Sequence, residues 1–159
     1  MEMQEHEKFM RMAIELSEHN VKQGVGGPFG AVIVKDGMVV ARSANMVVPQ
    51  NDPTAHAEIS AIRLACQELG TYNLQGCVIY TSCEPCPMCL GAIYWSHIDT
   101  IYYGNTKTDA AAIGFDDHFI YQELERPIHQ RKLQIVQLLH NEALPVFKLW
   151  KSSGSKIGY

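Results

Sequence analysis

The segment CVIYTSCEPCPMCLGAIYW, residues 77–95, joins a buried strand to a helix and decides the fold. Residues 77–81 form a continuous apolar run, rich in β-branched and aromatic side chains, which predicts a strand buried on both faces. Residues 83–96 follow at once and predict a helix. The two cysteines Cys86 and Cys89 therefore fall at a helix N-terminus, where unpaired N–H groups and the helix dipole lower the pKa of a thiol.

Outward from this segment, strands and helices alternate after an opening hairpin. Phe9, Met12, Ala13 and Leu16 recur at the spacing of an amphipathic helix. Residues 35–37, Lys-Asp-Gly, predict a tight hairpin turn, because Asp-Gly tolerates positive φ angles. The predicted strands are residues 31–34, 38–41, 77–81, 100–103 and 133–136. The predicted helices are residues 4–22, about 52–70, 83–96, about 116–125 and 142–153, and residues 24–30 form a glycine-rich loop.

The alternation of elements predicts an α/β fold, a three-layer α/β/α sandwich around a five-stranded mixed sheet. The chain has 159 residues, of which 47% are apolar and 19% charged. This length and composition predict one domain, residues 1–159, with a sizeable core. At the start of the second helix, Asp52 is a capping residue and Pro53 occupies the first helical position, which places His56 and Glu58 in the first turns.

Composition and charge indicate the cellular compartment and the kinds of partner to expect. No apolar run approaches the roughly 18 residues of a membrane span, and the N-terminus lacks a signal-like apolar core, so we expect a cytoplasmic protein that does not contact membranes. Five cysteines, three of them at 83, 86 and 89, suit metal or redox chemistry in a reducing compartment better than disulfides. A net charge of −4 argues against a long nucleic-acid partner, because proteins that bind nucleic acids usually carry a basic surface.

The chemistry is carried by His56-Ala57-Glu58 and, about 30 residues later, Pro85-Cys86-Pro87-Met88-Cys89. Together they match the H-x-E…P-C-x-x-C signature of zinc-dependent nucleobase deaminases. One imidazole and two thiolates leave a tetrahedral zinc with an open position, where water can ionise near neutral pH. Glu58 lies two residues beyond His56, about 200° around an ideal helix, so it is assigned to proton transfer and not to the metal.

The cysteines allow three other interpretations. A ferredoxin-type cluster is rejected, because its motif requires a further cysteine and none follows Cys89. A closed structural zinc with Cys83 as fourth ligand stays open, although it leaves Glu58 without a role. A thioredoxin-like dithiol is disfavoured by the pairing of His56 with Glu58.

The sequence resembles the cytidine deaminase-like superfamily, and within it most closely the bacterial guanine deaminases. The segments that carry the resemblance are GGPFGAVIVKDG (26–37), NDPTAHAEISAIR (51–63), YTSCEPCPMCLGAIYW (80–95), GFDD (114–117) and the C-terminal Tyr159. The resemblance implies hydrolysis of guanine at C2 to xanthine and ammonia, with one zinc ion per subunit. The zinc ligands would be His56, Cys86 and Cys89, and Glu58 would be the catalytic proton carrier.

The resemblance also implies a set of substrate contacts. Phe29 would lie against the base, Asn45 and Asp117 would bind its polar edge, and Trp95 would wall the pocket. Tyr159 would complete the active site of the partner subunit in a homodimer that exchanges its C-terminal segment, about residues 140–159. A tRNA adenosine deaminase, a deaminase of guanosine or cytosine, and a non-catalytic zinc module remain the alternatives.

Overall fold

The computed structural model describes residues Met1–Tyr159. Its strands are β1 (Gly30–Lys35), β2 (Met38–Ala44), β3 (Cys77–Cys83) and β4 (Thr100–Asn105). Its α-helices are α1 (Met3–Lys22), α2 (Val47–Gln50), α3 (Ala57–Leu69), α4 (Pro87–Trp95), α5 (Lys107–Ala112), α6 (His118–Glu125) and α7 (His140–Ser152), and Ile128–Gln130 forms a 3-10 helix. The chain divides into two compact units, Met1–His118 and Phe119–Tyr159.

The sheet has four strands in the order β2-β1-β3-β4. Strand β1 pairs antiparallel with β2 and β3, whereas β3 pairs parallel with β4. The predicted α/β class and mixed sheet are confirmed, but the predicted fifth strand is wrong, because residues 133–136 form no strand. Leu133 and Val136 are 76% and 70% exposed. A short apolar run predicts a strand only if a neighbour pairs with its backbone groups, and here the run has no such ladder.

Side chains that alternate along the strands build an apolar layer on each face of the sheet. Ile33 and Ile79 pack with Ala61 of α3 in one cluster, on what we call the α3 face. Val32 packs with Phe9 of α1 in the other cluster, on the opposite face. Because strand side chains have a period of two, residues of a single strand contribute to both layers. Helices therefore cover both faces, as predicted.

Two positions at the start of the sheet require glycine, one in a turn and one at a close helix contact. Asp36 and Gly37 have φ angles of 50° and 76°, which confirms the predicted hairpin turn between β1 and β2. At Gly30 a Cβ atom would lie 2.3 Å from the carbonyl oxygen of Ala13. Helix α1 thus lies directly against the first residue of β1, at a distance that excludes any larger side chain.

The second predicted helix begins later than expected. Asp52 Oδ1 accepts hydrogen bonds from Thr54 N at 2.9 Å and Thr54 Oγ1 at 2.7 Å, so the predicted capping residue closes a local turn instead. Helix α3 begins at Ala57, and His56 is its N-cap with an extended backbone. The prediction that His56 lies within the helix is wrong, whereas Glu58 does occupy the first turn.

Within residues 77–95 the strand and the helix have boundaries that differ from the predicted ones. Strand β3 continues to Cys83, and α4 begins at Pro87, four residues later than predicted. Proline needs no hydrogen-bond acceptor in the first helical turn, and the residue before a proline avoids helical geometry, so Pro85 and Pro87 delay the helix. The C-x-x-C motif nevertheless lies at the helix N-terminus, as predicted. Helices α2 and α5 were not predicted.

The second unit, Phe119–Tyr159, contains the 3-10 helix and α7. Helix α7 confirms the predicted closing helix and begins two residues earlier. It leaves large apolar side chains exposed, among them Phe147, Leu149 and Trp150. No helix in the structure combines the length and apolar character that crossing a membrane requires.

Candidate metal centre and active site

Two helix N-termini bring three potential metal ligands together. His56 is the N-cap of α3, Cys86 is the N-cap of α4, and Cys89 lies in the first turn of α4. His56 Nδ1 is 3.6 Å from Cys86 Sγ and 3.5 Å from Cys89 Sγ. All three ligand atoms lie within 4.8 Å of one another. The residues that the motif singled out therefore form one group.

The spacing of these atoms fits zinc. A tetrahedral zinc ion with Zn–N near 2.0 Å and Zn–S near 2.3 Å places nitrogen and sulfur ligands about 3.5 Å apart. The two distances between His56 and the cysteines match that value. One imidazole and two thiols are also the donor types that zinc prefers.

The two cysteines differ in acidity. The hydrogen bond with Cys89 is the largest influence on Cys86 and lowers its pKa to about 4. The same bond, reinforced by burial, raises the pKa of Cys89. The hydrogen bond with Cys86 raises the pKa of His56. A metal ion that binds these three groups would displace the protons that they carry.

Cys83 does not join the ligand group. Its Sγ points to the carbonyl oxygen of Thr106 at 3.7 Å, and burial raises its pKa to about 11. A closed structural site with Cys83 as fourth ligand therefore has no support in the geometry. Three protein ligands with one further position are typical of catalytic zinc.

Glu58 is buried beside the ligands. Its Oε2 lies 3.3 Å from Cys89 Sγ, and its Oε1 lies 3.0 Å from Thr81 Oγ1. Burial raises the pKa of this carboxyl group. Glu58 is not a member of the three-ligand group. His56 is the N-cap of α3 with an extended backbone, so the predicted separation of about 200° around an ideal helix does not apply to His56 and Glu58.

Phe29 and Asn45 are held together by the backbone. Asn45 N donates to Phe29 O at 3.1 Å, and Asn45 follows directly on β2. The buried Asn20 side chain donates to Asn45 O at 3.0 Å and to Gly27 O at 2.8 Å. Asn45 Oδ1 accepts from Val47 N at 3.2 Å, so its amide NH₂ group is the part suited to donating to a ligand.

The GFDD segment approaches the same region. The ring of Phe115 meets the ring of Phe29 edge to face, with 5.0 Å between centroids. Asp117 is half-buried, and burial together with the negative charge of Cys86 raises its pKa. The substrate role assigned to Asp117 stays a prediction.

No contact with the residues described above is established for Trp95 or Tyr159. Trp95 ends α4, six residues beyond Cys89, or about 9 Å along the helix axis. It is 67% exposed. Tyr159 belongs to the second unit and is 78% exposed. The substrate roles assigned to these two side chains stay predictions.

Three residues of the site were missed by sequence reasoning. Thr81 ends a run that was assigned to the core, and its position before the cysteine motif is the only signal of its contact with Glu58. Phe115 lies inside the GFDD segment, and a single phenylalanine beside two aspartates does not by itself indicate a role in the site. Asn20 lies on a helix otherwise explained by its apolar side, and nothing in the sequence distinguishes it from a surface residue.

Comparison with known proteins places these residues in context. A family model of the cytidine and deoxycytidylate deaminase zinc-binding region matches residues 3–105. A guanine deaminase of Bacillus subtilis (strain 168) is 51% identical over 154 residues, which cover 97% of this chain and 99% of that protein. The X-ray structure of guanine deaminase from Bacillus subtilis matches with a TM-score of 0.94 and 51% identity, covering 97% of this chain and 98% of the other. A tRNA-specific adenosine deaminase of Agrobacterium fabrum (strain C58 / ATCC 33970) is 41% identical over 121 residues, 76% of this chain and 78% of that protein.

Proposed function

The chain belongs to the cytidine and deoxycytidylate deaminase family, and we propose that it is a zinc-dependent guanine deaminase, which hydrolyses guanine to xanthine and ammonia. The observation that carries the proposal is the buried Glu58 carboxylate, 3.3 Å from Cys89 in a His-Cys-Cys group. Guanine as the substrate is supported by the 51% identity to the Bacillus subtilis guanine deaminase over 97% of the chain.

His56, Cys86 and Cys89 would hold the metal, and zinc there would lower the pKa of water enough to supply a nucleophile near neutral pH. Glu58 accepts a proton from the attacking water at Oε2, the oxygen nearer the ligands, and delivers it to a ring nitrogen of the base. A second transfer through Glu58 protonates the departing amine. Water adds at C2, the exocyclic C–N bond breaks, and ammonia leaves. A carboxylate can accept the proton in the first transfer, and the resulting carboxylic acid can donate it in the second.

Aromatic and polar side chains bind the base. Phe29 lies against the flat ring, and Phe115 extends this aromatic surface at right angles. The NH₂ group of Asn45 donates to an acceptor on the purine edge. Asp117 accepts from a purine N–H, because a carboxylate offers only acceptor oxygens. Guanine carries both kinds of group on its edges.

The active protein is a homodimer, and residues 1–159 form one deaminase domain whose C-terminal segment, about residues 140–159, is exchanged between subunits. Large exposed apolar side chains on each of two helices support this arrangement, since apolar surface of this kind is typical of protein interfaces. They are Tyr94 and Trp95 on α4, and Phe147, Leu149 and Trp150 on α7. In the dimer Trp95 walls the pocket and Tyr159 completes the partner's active site.

The expected compartment is the cytoplasm. All five cysteines are free thiols. Thiols of this kind persist in a reducing environment, and two of them are required as metal ligands.

A tRNA adenosine deaminase is the second candidate, because the Agrobacterium fabrum enzyme is 41% identical over 121 residues. Two observations weigh against it. That similarity covers 76% of the chain, compared with 97% for the guanine deaminase. The net charge of −4 is also unfavourable for an RNA backbone, which basic side chains normally neutralise.

The test is ammonia release from purified protein with guanine, guanosine, cytosine, cytidine, adenine and a tRNA anticodon stem, measured together with zinc content. We expect release from guanine, with xanthine as product and about one zinc ion per chain. Release from the RNA alone would replace the proposed substrate and keep the mechanism. Bound zinc without release from any compound would contradict the proposed activity.

Removing the last four residues, 156–159, lowers kcat/KM for guanine by at least about tenfold, the value of a single good contact of ~1.4 kcal/mol. Zinc content stays unchanged, because the truncation leaves all three ligands. The measurement is steady-state kinetics of the truncated protein, with Tyr159→Phe as the variant that keeps the ring and loses the hydroxyl. Wild-type kcat/KM in the truncated protein would refute the proposed role of Tyr159.

A further inference from the structure

Thr81 is a buried polar residue whose hydroxyl contacts the proposed proton carrier. It lies in β3 and is 1% exposed. Side chains on a strand alternate, so Thr81 follows Cys77 and Ile79 on the α3 face of the sheet. Its Oγ1 lies 3.0 Å from Glu58 Oε1 and 2.7 Å from the carbonyl oxygen of Cys83.

The hydroxyl has one proton for two acceptors. It donates to either Glu58 or Cys83 at a given moment, and its lone pairs remain able to accept. This property suits a neighbour that gains and loses a proton during a reaction. A hydroxyl can donate to a carboxylate and can accept from a carboxylic acid, so it keeps a hydrogen bond to Glu58 in both forms.

The two oxygens of Glu58 therefore have different surroundings. Oε1 is held by Thr81, whereas Oε2 lies against Cys89 of the ligand group. With one oxygen fixed by a residue of the central sheet, the carboxylate plane has a defined orientation. A proton carrier must be within hydrogen-bond reach of the reacting atoms, so this orientation matters for the rate.

The fold itself does not require a hydroxyl at this position. Valine has nearly the same shape as threonine and is favoured in strands. The neighbouring buried residues of β3 on the α3 face, Cys77 and Ile79, are apolar. The presence of a buried hydroxyl here is accounted for by its contacts with Glu58 and Cys83.

We propose that Thr81 is a positioning residue: its hydroxyl holds Glu58 Oε1 so that Oε2 faces the reacting atoms. The proposal rests on the proposed deaminase function. Thr81 does not touch substrate or metal in this arrangement and acts through Glu58. Its loss should therefore affect the chemical step and leave substrate binding intact.

The test compares Thr81→Val, which removes the hydroxyl, with Thr81→Ser, which keeps it. For Thr81→Val we expect kcat for guanine to fall by about 10- to 100-fold, part of the contribution of a general acid–base group. KM should change by less than about twofold and zinc content should stay at the wild-type value. For Thr81→Ser we expect kcat to return to within about threefold of wild type.

Ser96→Ala is the matched control. Ser96 is also buried, and its hydroxyl donates to the carbonyl oxygen of Ile93 at 2.8 Å. It lies beyond the opposite end of α4 from the ligands. This variant also loses a buried hydroxyl, but at the end of α4 remote from the ligand group, so its kcat should equal that of wild type. A similar fall in kcat for Ser96→Ala and Thr81→Val would mean that general destabilisation explains both, and would overturn the proposal.

A crystal structure of Thr81→Val supplies a readout that does not depend on turnover. We expect the Glu58 carboxylate to rotate away from its wild-type orientation. An unchanged carboxylate, an unchanged kcat, or a loss that serine fails to restore would each overturn the role of Thr81. Wild-type protein that leaves guanine intact would refute the proposed function instead, and the carboxylate orientation would still decide the role of Thr81.

Discussion

Glu58→Ala retains about one zinc ion per chain and loses guanine turnover by roughly 10²- to 10⁴-fold, the range over which a positioned acid–base group accelerates a reaction. Zinc is retained because His56, Cys86 and Cys89 form the ligand group without Glu58. Turnover falls because the substitution removes the proposed proton carrier, whose carboxylate lies 3.3 Å from Cys89 Sγ in the ligand group. The measurements are single-turnover kinetics with guanine and zinc content by atomic absorption.

Two further variants sharpen this prediction. Glu58→Gln keeps the shape and the hydrogen bond with Thr81 but cannot accept the proton, so it should be as inactive as the alanine variant. Glu68→Gln neutralises an exposed carboxylate near the other end of α3 and should have wild-type activity. Loss of zinc together with activity in Glu58→Gln would mean that Glu58 is a metal ligand.

The sequence predicted the elements whose patterns are local. The β3 run, the Asp-Gly turn and the amphipathic α1 each follow from a periodicity or a turn residue within a short window, and all three are present. Boundaries were less accurate where two local preferences compete. At residues 52–54 the aspartate could cap a helix or close a turn with Thr54, and only the folded chain determines that it closes the turn.

The site was predictable to the extent that its chemistry depends on residue type. The histidine and cysteine ligands are recognisable from their spacing, because few other functions need the H-x-E and P-C-x-x-C motifs together. The contact between Thr81 and Glu58 joins residues 23 positions apart and depends on how α3 packs on the sheet. Hydroxyl and aromatic side chains such as Thr81 and Phe115 are common in ordinary cores, so their types alone do not indicate a role. The predicted fifth strand failed for a related reason, since a strand needs a partner that its own sequence does not specify.

Cys86→Ser, in contrast to Cys83→Ser, abolishes both zinc binding and guanine turnover. Cys86 is the thiol with the pKa lowered to about 4, so it is the ligand most ready to meet a cation, and serine oxygen is a poor substitute for a thiolate on zinc. A bound zinc ion present at about 1,000 times its Kd contributes ~4 kcal/mol to the free energy of unfolding. Its loss should lower Tm by on the order of 10 °C in a protein of this size.

Cys83→Ser is the control that separates a catalytic zinc from a closed structural one. Cys83 is also a thiol and lies three residues from Cys86. It is buried, but its Sγ points to Thr106 O and not to the ligand group. It should keep zinc, turnover and most of its thermal stability. The measurements are zinc content, kcat and Tm for both variants. If Cys83→Ser lost zinc as Cys86→Ser does, four protein ligands would fill the tetrahedron, no position would remain for water, and the hydrolytic mechanism would have to be abandoned.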